Sequence, residues 1–277
     1  MTLEFSPRDD PALEREGYVP IAITDEGEVA YYKEPNVEEI RAMDPKKRKS
    51  LMRIRKKQMI TSESGGEWLP DFLSLGRATC FVAGCPGAGK SYFIARCLEL
   101  FPEDYQVMLF TALTEDDGNF SDLPQKIFKV KMVPETLRKI NLANLRKCSK
   151  NIILVFDDFD CLPKGTILSE TQRILHDALA NGRAHTTEES GEDTNIHVFV
   201  SSHSLNDFLR TKYSIENSDY IVMFPRSTTF AQLVRLGTKI GLTQAQITEM
   251  RNSGERAVIV HKTPPLYVIE GPSLKTI

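Results

Sequence analysis

The chain has 277 residues, 41% apolar and 26% charged, with a formal net charge of −3. That balance fits one large α/β domain with an appendage, or two small domains, and excludes a polycation, so contact with nucleic acid needs a local basic patch. No apolar run approaches the roughly 18 residues that cross a bilayer, and MTLEFSPRDDPALEREG at the N-terminus lacks a secretory layout.

The five cysteines, Cys80, Cys85, Cys97, Cys148 and Cys161, include no CxxC pair and read as buried thiols rather than metal ligands or disulfides. Residues 18–34, YVPIAITDEGEVAYYKE, read as two strands around Asp25-Glu26-Gly27, a hairpin with glycine in its turn. The stretch PKKRKSLMRIRKK at 45–57 carries eight basic side chains and no acid, and Pro45 suits the first turn of a basic helix. Three readings of it stand side by side: sequence-independent contact with DNA phosphates, a nuclear-import signal at Lys46-Lys47-Arg48-Lys49, or a solvated helix face. Ser62-Glu63-Ser64-Gly65-Gly66 reads as a joint. It divides an N-terminal hairpin and basic segment at 1–61 from a larger domain at 62–277.

Past the joint, five short apolar runs recur: Ala78–Gly84, Gln106–Thr111, Ile152–Asp157, Ile196–Ser201 and Tyr220–Phe224. Runs of this kind suit strands buried on both faces of a mostly parallel sheet. Between them, Ile167, Thr171, Ile174, Leu175, Ala178 and Leu179 share one helical face, with Gly182 as the cap. The alternation predicts an α/β fold: a doubly wound, mostly parallel sheet with helices on both faces. Later, Phe230, Leu233 and Val234 mark a helix, and Thr243-x-x-Gln246 reads as a capping box opening another. AVIV at 257–260 and LYVIE at 266–270 predict a closing hairpin across Thr263-Pro264-Pro265.

The run GCPGAGKS at 84–91 fits G-x-x-x-x-G-K-[ST] and stands between a buried strand and an amphipathic helix bearing Phe93, Cys97 and Leu100. Gly84, Gly87 and Gly89 let the backbone curl so that successive N–H groups meet phosphate oxygens. The helix N-terminus adds partial positive charge. The expected cradle comprises Gly84, Cys85, Pro86, Gly87, Ala88, Gly89, Lys90, Ser91 and Tyr92. Lys90 reaches the β- and γ-phosphates of ATP, and the Ser91 hydroxyl holds Mg²⁺. A glycine turn without ligand is the bland alternative. In NIILVFDDFD at 151–160, an apolar strand delivers Asp157 to its C-terminal tip, where it can bind Mg²⁺ directly or through water. Asp158 is then free to orient and deprotonate the attacking water, unless the two acids merely solvate the strand end. Ser202 and His203, after IHVFVS, stand where a polar group would sense the γ-phosphate.

No N-K-x-D element and no LSGGQ-like run is present, which disfavours GTPases and ABC transporter subunits. ILHDALANGRAH at 174–185, IHVFVSSHS at 196–204 and DFLRTKYSIENSDYIVMFP at 207–225 together resemble the genome-packaging ATPases of large nucleocytoplasmic DNA viruses, within the FtsK/HerA superfamily. The resemblance covers about residues 78–225. It departs from the family pattern where Ala184 separates Arg183 from His185, and where the polar segment 185–195 follows. The resemblance implies a homo-oligomeric ring that hydrolyses ATP to drive double-stranded DNA into a preformed capsid, with a capsid or portal component as partner. It implies work in the host-cell cytoplasm or nucleus at sites of virus assembly, or in the virion, with no membrane contact. It also places a Gly-Arg at Gly182-Arg183. Arg183 is accordingly expected to act catalytically on a neighbouring subunit's ATP, with Arg210 and Arg226 as alternatives. Two other functions fit the same loop: a cellular translocase or helicase-loader ATPase, and a small-molecule kinase, for which no arginine-rich lid is visible in the sequence.

Overall fold

A computed structural model describes residues 2–7, 10–33, 44–46, 58–74, 76–112, 118–183, 195–203, 208–263 and 266–276. The larger of its two sheets is organised around the apolar runs. Strands β6 (Thr79–Ala83), β7 (Gln106–Thr111), β9 (Ile152–Asp157), β10 (Ile196–Ser202) and β11 (Tyr220–Met223) are buried at nearly every position. With the edge strand β8 (Lys126–Lys129) they form a parallel block in the order β11-β6-β10-β9-β7-β8. Successive side chains point to opposite faces, so each continuous apolar strand feeds two cores. Phe81, Leu154, Phe156, Val198 and Val200 enter one core, while Cys80, Val82, Ile153, Val155 and Phe199 enter the other.

Helices cover both faces. Helix α2 (Lys90–Leu98) buries Phe93, Ile94, Cys97 and Leu98 in the second core. The first core takes α3 (Pro134–Leu137), α4 (Leu142–Cys148), α5 (Thr166–Asn181), α7 (Phe230–Lys239) and α8 (Gln244–Asn252). The fold is therefore the mostly parallel, doubly wound α/β sheet that the alternation predicts. Helix α6 (Phe208–Asn217) joins β10 to β11. The Thr243–Gln246 capping box is present, and Thr229 and Gln232 form a second one at the start of α7. Gly182 caps α5 in ordinary right-handed geometry, with φ −73°. Its glycine answers to space instead: a Cβ there would lie 2.4 Å from the Ala178 carbonyl oxygen and 2.7 Å from Arg77 Nη2.

The closing hairpin forms from β12 (Val258–His261) and β13 (Tyr267–Glu270), and it is part of something larger. Strand β12 pairs antiparallel with β11, and β14 (Ser273–Thr276) and β4 (Met59–Thr61) extend the sheet to ten strands. The N-terminal hairpin, β2 (Tyr18–Thr24) and β3 (Glu28–Lys33), belongs to a second sheet ordered β1-β3-β2-β5, with β1 at Thr2–Pro7 and β5 at Trp68–Pro70. A short helix, α1 (Pro11–Arg15), links β1 to β2. The joint at 62–66 thus separates β4, in the large sheet, from β5, in the small one. Tyr267 hydroxyl donates to the Ile21 carbonyl at 3.0 Å, and Trp68 and Ile21 share the core of α2, so the small sheet packs on that face. Pro45 and Lys46 are helical, while residues 47–57 of the basic stretch lie outside the described residues. The cysteines divide: Cys80 and Cys97 are buried, Cys85 is half-buried, and Cys148 and Cys161 are exposed. The expectation of five buried thiols is corrected at these last two, which stand at the last residue of α4 and just beyond the end of β9.

One buried group carries a pH signature. His197 on β10 is 2% exposed, accepts the Ala78 N–H on Nδ1 at 3.0 Å and meets the Phe101 ring edge-on at 4.8 Å. Burial, with the nearby Arg77 cation, pushes its pKa down to about 4. A histidine depressed from about 6.5 contributes stability that is complete above pH 6.5 and lost as pH falls toward 4, about 3 kcal/mol in all. Thermal melts from pH 7 to 4 should show this loss. His197→Asn, which keeps an acceptor for Ala78, should flatten the part of the curve between 6.5 and 4. Identical pH profiles for the two proteins would contradict this role.

Candidate nucleotide site

The loop 84–91 leaves the C-terminal end of β6 and enters α2, as its sequence predicts. Gly87 and Gly89 have φ of 76° and 102°, in the left-handed region that glycine adopts without strain. Gly84 is needed for close approach, since a Cβ would fall 2.8 Å from the Phe224 ring. Lys90 is only 5% exposed and turns back over the loop, its Nζ 3.4 Å from the Cys85 carbonyl and 3.5 Å from Asp158 Oδ1. A buried ammonium needs such partners. Phosphate oxygens arriving on the loop would supply better ones.

Both acids stand at the end of β9. The Ser91 hydroxyl lies 3.2 Å from each oxygen of Asp157. Cis ligands of an octahedral Mg²⁺, each at about 2.1 Å, stand about 3 Å apart, so this pair of hard oxygens fits the ion. Mg²⁺ is commonly held by one or two protein oxygens together with substrate phosphates and water, which would supply the remaining ligands here. Asp158 is the one non-glycine residue at positive φ among the described residues, at φ 48° and ψ 46°. That conformation costs on the order of 1–2 kcal/mol and persists where the surroundings impose it. Here they do so from β10. The Asp158 N–H donates to Ser201 Oγ at 2.7 Å, and His203 Nε2 lies 2.7 Å from Asp158 Oδ1. His203 is itself held, its N–H donating to Asp160 Oδ1 at 2.9 Å and its Nδ1 3.5 Å from Cys161 Sγ.

Strand order makes this possible. Because β10 lies between the loop strand β6 and the acid strand β9, its tip is delivered between the start of the loop at Gly84 and the two acids. The chain folds as a P-loop NTPase.

Ser201, fully buried, is the residue that the sequence reading passes over in favour of Ser202. Its hydroxyl donates to Asp157 Oδ1 at 2.7 Å while accepting from Asp158 N–H, so one side chain ties both acids together. Register carries the signal: Val200 pairs with Phe156, which sets Ser201 beside Asp157. Ser202 instead accepts the Gly84 N–H through its carbonyl at 3.2 Å and so braces the loop. Arg256 is a further residue that the sequence reading misses. Its Nε donates to the Ala88 carbonyl at 3.2 Å, and its guanidinium stands 5.9 Å over the exposed Tyr92 ring.

Arg183 is not brought to this site. The Gly182 carbonyl accepts from the N–H of Ile196, the first residue of β10, and the Arg183 carbonyl accepts from Arg146 Nη2 at 2.9 Å. The exposed Arg183 therefore stands at the opposite edge of the sheet, about 17 Å of strand away from Asp157. Arg226, also exposed, follows β11 at the loop's edge of the sheet. The side chain of Arg210, and His185 altogether, lie outside the described residues.

No known protein-family profile matches the chain. Among curated proteins it is similar to Uncharacterized protein V3 of Sputnik virophage, 23% identical over 229 residues that make up 80% of this chain and 85% of that protein. That relative is a viral protein. Among solved structures it is similar to the pCW3 conjugation coupling protein TcpA, with TM-score 0.40 and 12% identity over 96% of this chain and 79% of that one. It is also similar to the cytoplasmic domain of the Type VII secretion ATPase EccC of Thermomonospora curvata, with TM-score 0.38 and 12% identity. That match takes in 94% of this chain but only 26% of the longer EccC chain. Strand order and loop geometry, not these overlays, carry the fold. No helix among the described residues is long and apolar enough to cross a membrane.

Proposed function

We propose that the chain is an ATP-hydrolysing motor that translocates double-stranded DNA, and that in a viral setting it packs the genome into a capsid. The observation that carries hydrolysis is the hold on Asp158. A second acid, fixed by Ser201 and His203 beside the Ser91–Asp157 pair, is placed to orient and deprotonate water. Mg²⁺, when bound, would neutralise charge on the β- and γ-phosphates. The chain's own groups divide the remaining work. Loop N–H groups and Lys90 bind phosphate, and His203 and Ser201 fix the base.

DNA translocation and packaging rest on the ordered motifs of residues 78–225, and the viral setting rests on the virophage relative. The basic stretch beginning at Lys46, itself exposed, would supply contact with DNA phosphates. Arg183, remote from its own subunit's phosphates, is assigned to a neighbour's γ-phosphate in a homo-oligomeric ring, where such arginines contribute roughly 10³–10⁵ in rate. Arg183→Ala rings should bind ATP and turn over poorly. Mixing them with Asp158→Asn subunits should restore part of the activity, because some interfaces then pair a working base with a working arginine. Absence of rescue would remove Arg183 from the trans role. For the motor itself, ATP turnover should rise when duplex DNA is added, with inorganic phosphate as the sole phosphorylated product besides ADP. Turnover indifferent to DNA, or a phosphorylated small molecule, would contradict it.

A further inference from the structure

Beside the phosphate loop, at the same edge of the large sheet, lies a cavity of about 520 Å³. It begins at Gly89 and runs along one face of α2, past Tyr92 and Arg96, to the turn of the N-terminal hairpin at Asp25 and Glu26. Arg256, from the segment before β12, forms another wall. Trp68, on β5, is 1% exposed in this lining, and its indole Nε1 has no hydrogen-bond partner among the described residues. An unpartnered buried donor costs about 1–3 kcal/mol, which a ligand acceptor would recover. The volume falls in the range of small-molecule sites, about 300–1,000 Å³.

We propose that this cavity receives the purine base and ribose of the nucleotide whose phosphates lie on residues 84–91. The inference rests on the nucleotide-binding reading above and adds where the rest of the molecule goes. The Tyr92 ring, 51% exposed, presents a flat stacking surface one residue beyond Ser91, and the Arg256 guanidinium offers a second. Ring nitrogens of a purine accept hydrogen bonds, which matches the indole N–H. Ribose hydroxyls and an exocyclic amine donate, which matches the carboxylates of Asp25 and Glu26. Asp25 is already steadied by Arg96, Nη2 to Oδ2 at 3.5 Å. The N-terminal sheet thereby becomes part of the nucleotide site, and the bound nucleotide bridges the two sheets.

Trp68 is the chain's single tryptophan, so its emission reports this cavity alone. The full chain would be titrated with Mg²⁺ plus ATP and, separately, Mg²⁺ plus inorganic tripolyphosphate, following heat and fluorescence together. Both should bind, and only ATP should shift the emission. The exposed-residue variant Asp25→Asn should weaken ATP about tenfold, within the range expected for loss of one hydrogen bond to a charged acceptor, and leave tripolyphosphate unchanged. Equal affinity for ATP and tripolyphosphate with the same silent emission would overturn the cavity while leaving the phosphate loop standing. Failure of both to bind would overturn the loop assignment itself.

Discussion

Asp158→Asn is expected to bind MgATP about as well as the unaltered chain and to hydrolyse it roughly 10²–10⁴-fold more slowly, the usual worth of a positioned general base. The substitution is isosteric, so Ser201 can still accept the backbone N–H of residue 158, and His203 keeps an oxygen within reach. What it removes is the capacity to take a proton from water. Asp157→Asn should behave differently, raising the Mg²⁺ concentration needed for half-maximal activity, because Asp157 shares its two oxygens with the Ser91 hydroxyl. Steady-state turnover across a Mg²⁺ series separates the two. Small and equal effects would reduce both acids to solvation of a strand end.

The second large effect is expected at Lys90. Lys90→Ala removes the loop's only side-chain cation, and truncating one member of a buried charge pair costs about 2–5 kcal/mol, so ATP affinity should fall by about 10²-fold or more. The side chain is 5% exposed and packs over the loop, and its loss also leaves a void. Lys90→Met keeps most of the volume and should lose affinity comparably, which assigns the effect to charge. Calorimetric titration with MgATP is the measurement. Unchanged affinity in both variants would dismiss the phosphate-loop assignment.

Much of this site can be read in the sequence because its parts are local. A loop of eight residues has to lie between its strand and its helix, and an acid ending an apolar strand has to emerge at the sheet's edge. Strand order is different: nothing in the run IHVFVSS states that β10 inserts between β6 and β9, and that insertion is what sets Ser201 against both acids. Residues 257–270 read as a hairpin because Thr263-Pro264-Pro265 marks a turn, yet the pairing of β12 with β11 depends on contacts remote in sequence. The same remoteness hides Arg256, carried to the Ala88 carbonyl across 168 positions. The joint at 62–66 is legible as a break in composition. That it carries the chain from the ten-stranded sheet into the four-stranded one is not, because β4 and β5 are three residues each and their partners decide their sheets.

The central claim is that water attacks the terminal phosphate of ATP at Asp158. Turnover of MgATP in ¹⁸O-enriched water tests it most directly, with the inorganic phosphate analysed for label. The account predicts inorganic phosphate carrying solvent oxygen, formed at a rate that collapses in Asp158→Asn. No phosphate release, or transfer of unlabelled phosphate to a small-molecule acceptor, would contradict it.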